Sequence, residues 1–472
     1  MSYLTKKSFE SVREAGNTSG LAKTLTAYDL VLLGLGGIIG TGIFALTGFV
    51  AAKYSGPAVM LSYAIAGVVC IFVALAYTEL ASFLPTSGSV YTYSYVAFGE
   101  LFAWLVGGAM VLELSVAASA VATAWSGYAV SILKAGGVNI PVAYTAGPLN
   151  GGIVNFLAIL IVAFVAFLLY RGTRDSKRVN AILVFIKMAA IGVFVFVAVP
   201  HFEITNWDNF MPYGFDDVLL GSSILFFAFT GFGALATAAE ECKNPKRDLT
   251  IGIIGSLVLS TVLYIIVGGL ATGIVSFELL DNSQPLAHAL AVNNSKIGSA
   301  IVATGAICGM TTVIMMNIYA QSRIFYVMAR DGLTPKCFAK IHPKYDSPYI
   351  SVLIFSGLIA ILAGLVPLEV IAKMSSMGAL IDYIVIMMVV MIFRRKMPDI
   401  ARSFKCPALF IIAPVGLLAC VYLLFKQIIS KEGELMFTGE LLIYWFIVVF
   451  VLYVIRTSFV KMKKPIENGG VA

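Results

Sequence analysis

The run Gly34-Leu35-Gly36-Gly37-Ile38-Ile39-Gly40-Thr41-Gly42-Ile43-Phe44 puts five glycines within nine positions of a long apolar segment. Each glycine costs a helix about 1 kcal/mol relative to alanine, so the run invites an interruption. Inside a bilayer, a broken helix survives only where its freed N–H and C=O groups are buried in protein or line a polar cavity. A helix half that restarts near Thr41, after Ile39 and Gly40, presents free N–H groups and the positive end of its dipole. That end, at Gly40, Thr41 and Gly42, suits an anion such as a carboxylate. Gly36-xxx-Gly40 is also a small-xxx-small motif that lets two membrane helices pack closely; the stretch by itself leaves both readings open.

A second interruption is written at Phe226-Phe227-Ala228-Phe229-Thr230-Gly231-Phe232-Gly233-Ala234. Here unwound carbonyls around Phe229 and Thr230 would accept hydrogen bonds from an ammonium group. A small zwitterion satisfies both interruptions at once, with Phe44, Phe229 and Phe232 as aromatic shielding. Close packing of small residues in a phenylalanine-rich core is the competing reading. Ionisable residues inside apolar segments are costly and need a reason. Lys187 either snorkels to the nearer interface or is a buried amine that loads and releases a proton. Glu113 and Asp382 fall near the middle of their segments, and Glu79 lies nearer an end. Glu240-Glu241, beside Lys243, Lys246 and Arg247, read as solvated loop acids or as a gate.

The elements that would hold these residues are membrane helices. Of 472 residues, 60% are hydrophobic and 12% charged, with mean hydropathy +0.94; no soluble domain has this composition. A span needs about 20 mostly apolar residues. Twelve segments qualify, near 27–52, 57–83, 97–133, 153–170, 180–199, 218–239, 250–275, 297–329, 348–366, 370–393, 407–428 and 438–460. Threaded alternately, they collect 24 lysines and arginines on one side and 6 on the other. The positive-inside rule then makes both termini cytoplasmic and accounts for the net charge of +7 without nucleic acid. The six cysteines show no C-x-x-C spacing and the three histidines no metal-ligand spacing; no metal or cofactor is expected. The polar start of the chain predicts no cleavable signal peptide. Residues 285–290, in a long outside loop, are expected to form a short surface helix. The interrupted segments are the first members of two five-segment halves, and paired interruptions in corresponding places are the mark of a transporter site.

Gly36 to Phe44 also resembles the first-helix motif of the amino acid–polyamine–organocation (APC) superfamily. Gly231-Phe232, Glu240-Glu241 and Asn244-Pro245-x-Arg247 are similar to its sixth-helix and following-loop pattern. Met328-Ala329-Arg330-Asp331-Gly332-Leu333-x-Pro335 completes a set typical of its bacterial cationic amino acid transporter branch. Together the motifs are specific; alone, none is. The resemblance implies an all-α LeuT-like fold of 12 transmembrane helices with helices one and six broken, working by alternating access. The units are a cytoplasmic tail (1–26), a first inverted repeat (27–200), a second (218–394), two further helices (407–460) and a cytoplasmic tail (461–472). It further implies that Lys187 replaces a sodium ion near the first break as a proton switch. Where many relatives have Gly-Phe-Asp, this chain has Gly231-Phe232-Gly233, and Thr250 replaces a common proline. Asn317 stands where bacterial relatives often carry methionine, and its shorter polar side chain would widen the pocket.

The expectation is a proton-coupled importer of L-amino acids in the cell membrane, broad enough to include cationic ones. Its substrate site is assigned to Ile39, Gly40, Thr41, Gly42, Phe44, Glu113, Phe229, Thr230, Gly231, Phe232 and Asn317, with Lys187 for proton coupling. The alternatives are a neutral amino-acid permease, an exchanger with weak proton coupling, and an amino-acid sensor on the same scaffold. An enzyme is disfavoured because no nucleophile–base set appears.

Overall fold

The computed structural model describes residues 6–12, 23–282, 284–429 and 433–467, without the side chains of 173–175 and 459–467. The expected tails therefore fall largely outside the described residues. Among those described, no β-strand forms, only two isolated bridges. Among the described residues, nine helical stretches are long and apolar enough to cross a bilayer, and Phe156–Tyr170 and Tyr349–Leu365 are shorter apolar helices. The first stretch, Ala27–Phe83, is 57 residues long and changes direction at Gly56-Pro57, where Gly56 takes φ +57°.

Helix α1 (Ala27–Ile38) starts at a capping box: Thr26 and Asp29 satisfy each other's backbone N–H groups, and Lys177 Nζ bonds Asp29 at 2.8 Å. After an interruption the chain is helical again as α2 (42–55), then α3 (Val59–Phe83). A buried helix not foreseen in the sequence, α4 (Ser89–Ala97), precedes α5 (Glu100–Ala135). Its Ser- and Tyr-rich composition reads as a loop, but every residue in it is buried. Helices α6 (Phe156–Tyr170) and α7 (Thr173–Ala198) follow. The sixth apolar segment divides into α8 (Phe215–Leu225), continued by a tight turn over Phe226–Phe229, and the tightly wound α9 (Gly233–Glu241). Next come α10 (Pro245–Ile274), the short α11 (Pro285–Val292), α12 (Lys296–Arg330), α13 (Tyr349–Leu365), α14 (Leu368–Lys396), α15 (Leu409–Ile428) and α16 (Phe437–Glu467).

Helix α10 packs along both α1 and α3, and α12 packs along both α5 and α7. The interrupted first segment is thus enclosed by protein. Glycines set the approach distances: a Cβ on Gly34 would collide with Ser256 of α10, and one on Gly36 would lie 2.5 Å from Asn180 of α7. Three backbone hydrogen bonds zip the start of α1 to the end of α9. Thr24 and Leu25 donate to Glu241 O at 3.0 Å, and Lys243 donates to Leu25 O at 2.9 Å.

At the same end of the bundle, Glu79 is 1% exposed. It binds Arg394 through both carboxylate oxygens, meets Arg402 Nε at 3.1 Å and accepts from Cys406 N at 2.8 Å. It thereby fixes the segment between α14 and α15 onto α3. Removing one partner of a buried ion pair strands the other. Glu79→Ala is therefore expected to lower stability by about 3 kcal/mol. Breaking the surface pair Glu369–Lys373, where Glu369 is 63% exposed, changes it by at most about 0.5 kcal/mol. Thermal unfolding of both variants in detergent measures the contrast.

Candidate functional site

Ile39 is extended (φ −80°, ψ 102°), and α2 opens with a widened turn over Gly42–Leu46. The carbonyls freed at this interruption are satisfied by side chains from surrounding helices. Lys187 Nζ of α7 donates to Leu35 O (2.7 Å), Gly36 O (3.2 Å) and Ile39 O (2.7 Å) and touches Thr312 Oγ1 (3.0 Å). Thr312 donates to Gly36 O at 2.8 Å. Tyr264 OH lies 2.7 Å from Ile38 O, Tyr63 OH donates to Gly42 O at 2.9 Å, and Tyr128 OH to Phe44 O at 2.6 Å. The N–H groups of the first turn of α2 have no acceptor within their own helix. Thr41 Oγ1, buried beside them, has no partner among the described residues.

The second interruption faces the first. Thr230 is extended (φ −57°, ψ 143°) and Gly231 takes φ +114°, a conformation that favours glycine. A Cβ on Gly231 would lie 2.7 Å from Gly37 O, and one on Gly42 would overlap the Ala228 side chain. Tyr264 OH, which reaches Ile38 O in the first break, is also 2.9 Å from Ala228 O in the second. Ile39, Gly40, Thr41, Gly42 and Phe44 therefore line one interruption, and Phe229, Thr230, Gly231 and Phe232 the other.

The aromatic residues are part of a larger ring system. Phe229 contacts Tyr264 and Tyr63 (centroids 5.2 and 6.4 Å), and Phe232 contacts Tyr383 and Tyr77 (5.0 and 6.2 Å). Asn317, 3% exposed, sits on α12, the helix whose Val313 closes over Gly40. Glu113 occupies a widened turn of α5 (Val111–Val116) and accepts from Tyr383 OH at 3.4 Å. It thus stands beside the Phe232–Tyr383 ring pair, with Oε1 3.7 Å from where a Cβ on Gly233 would lie. A cavity of about 430 Å³ opens beside α2, lined by Ala45, Leu46, Phe49, Thr123, Ala124 and Gly127 among others.

Two of the readings left open do not hold. Lys187 does not snorkel: it is fully buried, because the carbonyls of the first break supply the partners an interface would otherwise give. Glu240 and Glu241 are not solvated loop acids, being 5% and 1% exposed. The tight winding of α9 carries them into the seam with α12. There Glu241 pairs with Arg323 and accepts from Tyr319 OH at 2.7 Å, while Glu240 accepts from Ser87 N and Arg330 Nη1, both at 3.1 Å.

The sequence profile of the amino acid permease family matches residues 25–453. The chain belongs to the amino acid permease family. The branched-chain amino acid permease BcaP of Bacillus subtilis is 42% identical over 431 residues, covering 90% of this chain and 92% of that one. The methylthioribose transporter of the same organism is 39% identical, covering 90% and 93%. Mouse cationic amino acid transporter 4 is 35% identical, covering 84% of this chain and 64% of the relative. These permeases are transporters and not enzymes.

Sequence reasoning missed the hydroxyls that hold this permease's interruptions, namely Tyr63, Tyr128, Tyr264 and Thr312. Each is a hydroxyl in an apolar helix, a pattern shared with many residues that only bond their own helix. Gly42→Ala forces the two interruptions apart. It is expected to weaken amino acid binding at least tenfold, about 1.4 kcal/mol. Gly192→Ala on α7, with no atom within 4 Å of the added Cβ, leaves binding unchanged; a radioligand binding assay on purified protein compares the two.

Proposed function

We propose that this protein imports L-amino acids across the cell membrane by proton symport, with Lys187 as the proton switch. One observation carries the reading: the Lys187 ammonium group bonds three carbonyls of the first interruption. An ammonium has three hydrogens and a neutral amine two. Loss of the proton therefore removes at least one of these bonds together with the positive charge, and the interruption loosens. Proton occupancy and the geometry of Gly40, Thr41 and Gly42 become linked. Gly40 to Gly42 would receive the substrate carboxylate at the N-terminal end of α2, and the carbonyls at Phe229, Thr230 and Gly231 its ammonium group. Thr41 Oγ1, buried without a partner, is a donor awaiting an acceptor.

Alternating access in a LeuT-like arrangement of 12 spans agrees with these features. The interrupted segments occupy the same place in the two proposed repeats, 27–200 and 218–394. One end of the bundle is shut by buried ion pairs, and a cavity opens on the other side of the interruption, beside α2. The excess of lysine and arginine assigns the shut end to the cytoplasm. For the side chain, a pocket at the interruptions would be bounded by Asn317 and closed by Phe232, while Glu113 is met by Tyr383. That favours neutral substrates, in keeping with the branched-chain permease among the relatives.

In proteoliposomes with an imposed pH gradient, Lys187→Ala is expected to abolish gradient-driven accumulation while still binding amino acid. Unchanged gradient dependence would refute the switch. Asn317→Met narrows the pocket and is expected to lower competition by long side chains relative to alanine. An identical ranking of unlabelled competitors would remove Asn317 from the selectivity site.

A further inference from the structure

Glu113 and Asp382 lie carboxyl to carboxyl within hydrogen-bond reach, one on the widened turn of α5 and the other on α14. Asp382 is fully buried and Glu113 is 3% exposed. Neither oxygen of Asp382 meets a hydrogen-bond donor among the described residues. Glu113 receives the Tyr383 hydroxyl at 3.4 Å and nothing shorter. The titratable groups that face the pair are Tyr77 from α3 and Tyr383 from α14, with Tyr93 of α4 beside Tyr77 and Cys70 of α3 beside Tyr383; none of the four is a cation.

Two bare carboxylates cannot stay side by side in such a place. Each repels the other, and neither has a cation to offset its charge. One hydrogen resolves both problems, because a protonated carboxyl is a donor and its ionised neighbour an acceptor. The surroundings discriminate against a bulkier cation. Aromatic rings form the walls, with Phe226–Tyr383 centroids at 5.6 Å, Phe232–Tyr383 at 5.0 Å and Tyr77–Phe232 at 6.2 Å. An ammonium or guanidinium group would have to push these rings apart; a proton does not.

We propose that Glu113 and Asp382 share one proton and form a second proton-holding site, separate from Lys187. The shared proton fastens α5 to α14 where both border the second interruption. Three contacts make that junction tight: Ser375 Oγ donates to Glu113 O at 3.2 Å, a Cβ on Gly378 would sit 2.7 Å from Glu113 N, and one on Gly233 would sit 3.7 Å from Glu113 Oε1. Losing the proton leaves two negative charges between the helices and drives them apart. The pair is thereby a charge-sensitive clasp beside the substrate site. The inference deepens the proton-coupled reading and rests on it for its role in transport, but the proton itself is detectable without uptake.

Infrared difference spectroscopy of the purified protein, taken between neutral and alkaline buffer in H2O and D2O, reports a protonated carboxylic acid directly. Wild type is expected to show a deuterium-sensitive carboxylic acid band at neutral pH. The band should shift in Asp382→Asn and be lost in the Glu113→Gln/Asp382→Asn double variant. A wild type without the band, or a band unmoved by Asp382→Asn or persisting in the double variant, overturns the proposal. If the double variant fails to fold, the single variant still decides. Lys187→Ala should leave the band in place, which separates this proton from the one assigned to the switch.

Discussion

The constraint on which this structure turns is that backbone polar groups inside a bilayer must find partners within the protein. The break at residues 39–41 frees carbonyls in the middle of a membrane segment. The structure answers with one ammonium group and a set of hydroxyls: Lys187, Thr312, Tyr63, Tyr128 and Tyr264. These side chains come from α7, α12, α3, α5 and α10, so stabilising one short loop draws on five helices. At the start of α2, Phe44 N reaches back to Gly40 O, while the N–H groups of Gly42 and Ile43 have no acceptor within the helix itself. The proposed binding site and the structural defect are the same object.

Satisfying the break also explains why the surrounding surfaces are made of small residues. Gly37 and Gly42 touch Gly231 and Ala228 across the gap, and Gly309 lies against Phe44 and Lys187. Side chains at those positions would hold the interruptions apart and pull Tyr264 away from the two carbonyls it reaches. The energy of the assembly is therefore distributed over close backbone approaches and many modest hydrogen bonds, each worth about 1 kcal/mol net. Opposite them, at the shut end, a few desolvated ion pairs do the holding: Glu241 with Arg323, Glu240 with Arg330 and Glu79 with Arg394.

Much of the helical framework was legible because length and hydropathy suffice for membrane segments, and the glycine runs marked both interruptions. What could not be read were facts of the third dimension. Ser89–Ala97 falls almost wholly between two expected spans, and its burial depends on neighbours remote in sequence. Lys187 was ambiguous until the carbonyls of α1 were placed around its amine. Glu240 and Glu241 sit among basic residues in the sequence, yet the side chains they meet include Arg323 and Tyr319, nearly eighty positions on. Asp382 carried no local sign that it would face Glu113. Charges in apolar helices announce that a partner exists; they do not name it.

The zipped junction of Thr24 and Leu25 with Glu241, and of Lys243 with Leu25, has a mechanical meaning. It joins α1 and α9, each on the shut side of its own interruption, by backbone rather than by side chains. Backbone ties of this kind leave little play, so the two half-helices are held in step at this end, and a displacement of one is passed to the other through main chain alone.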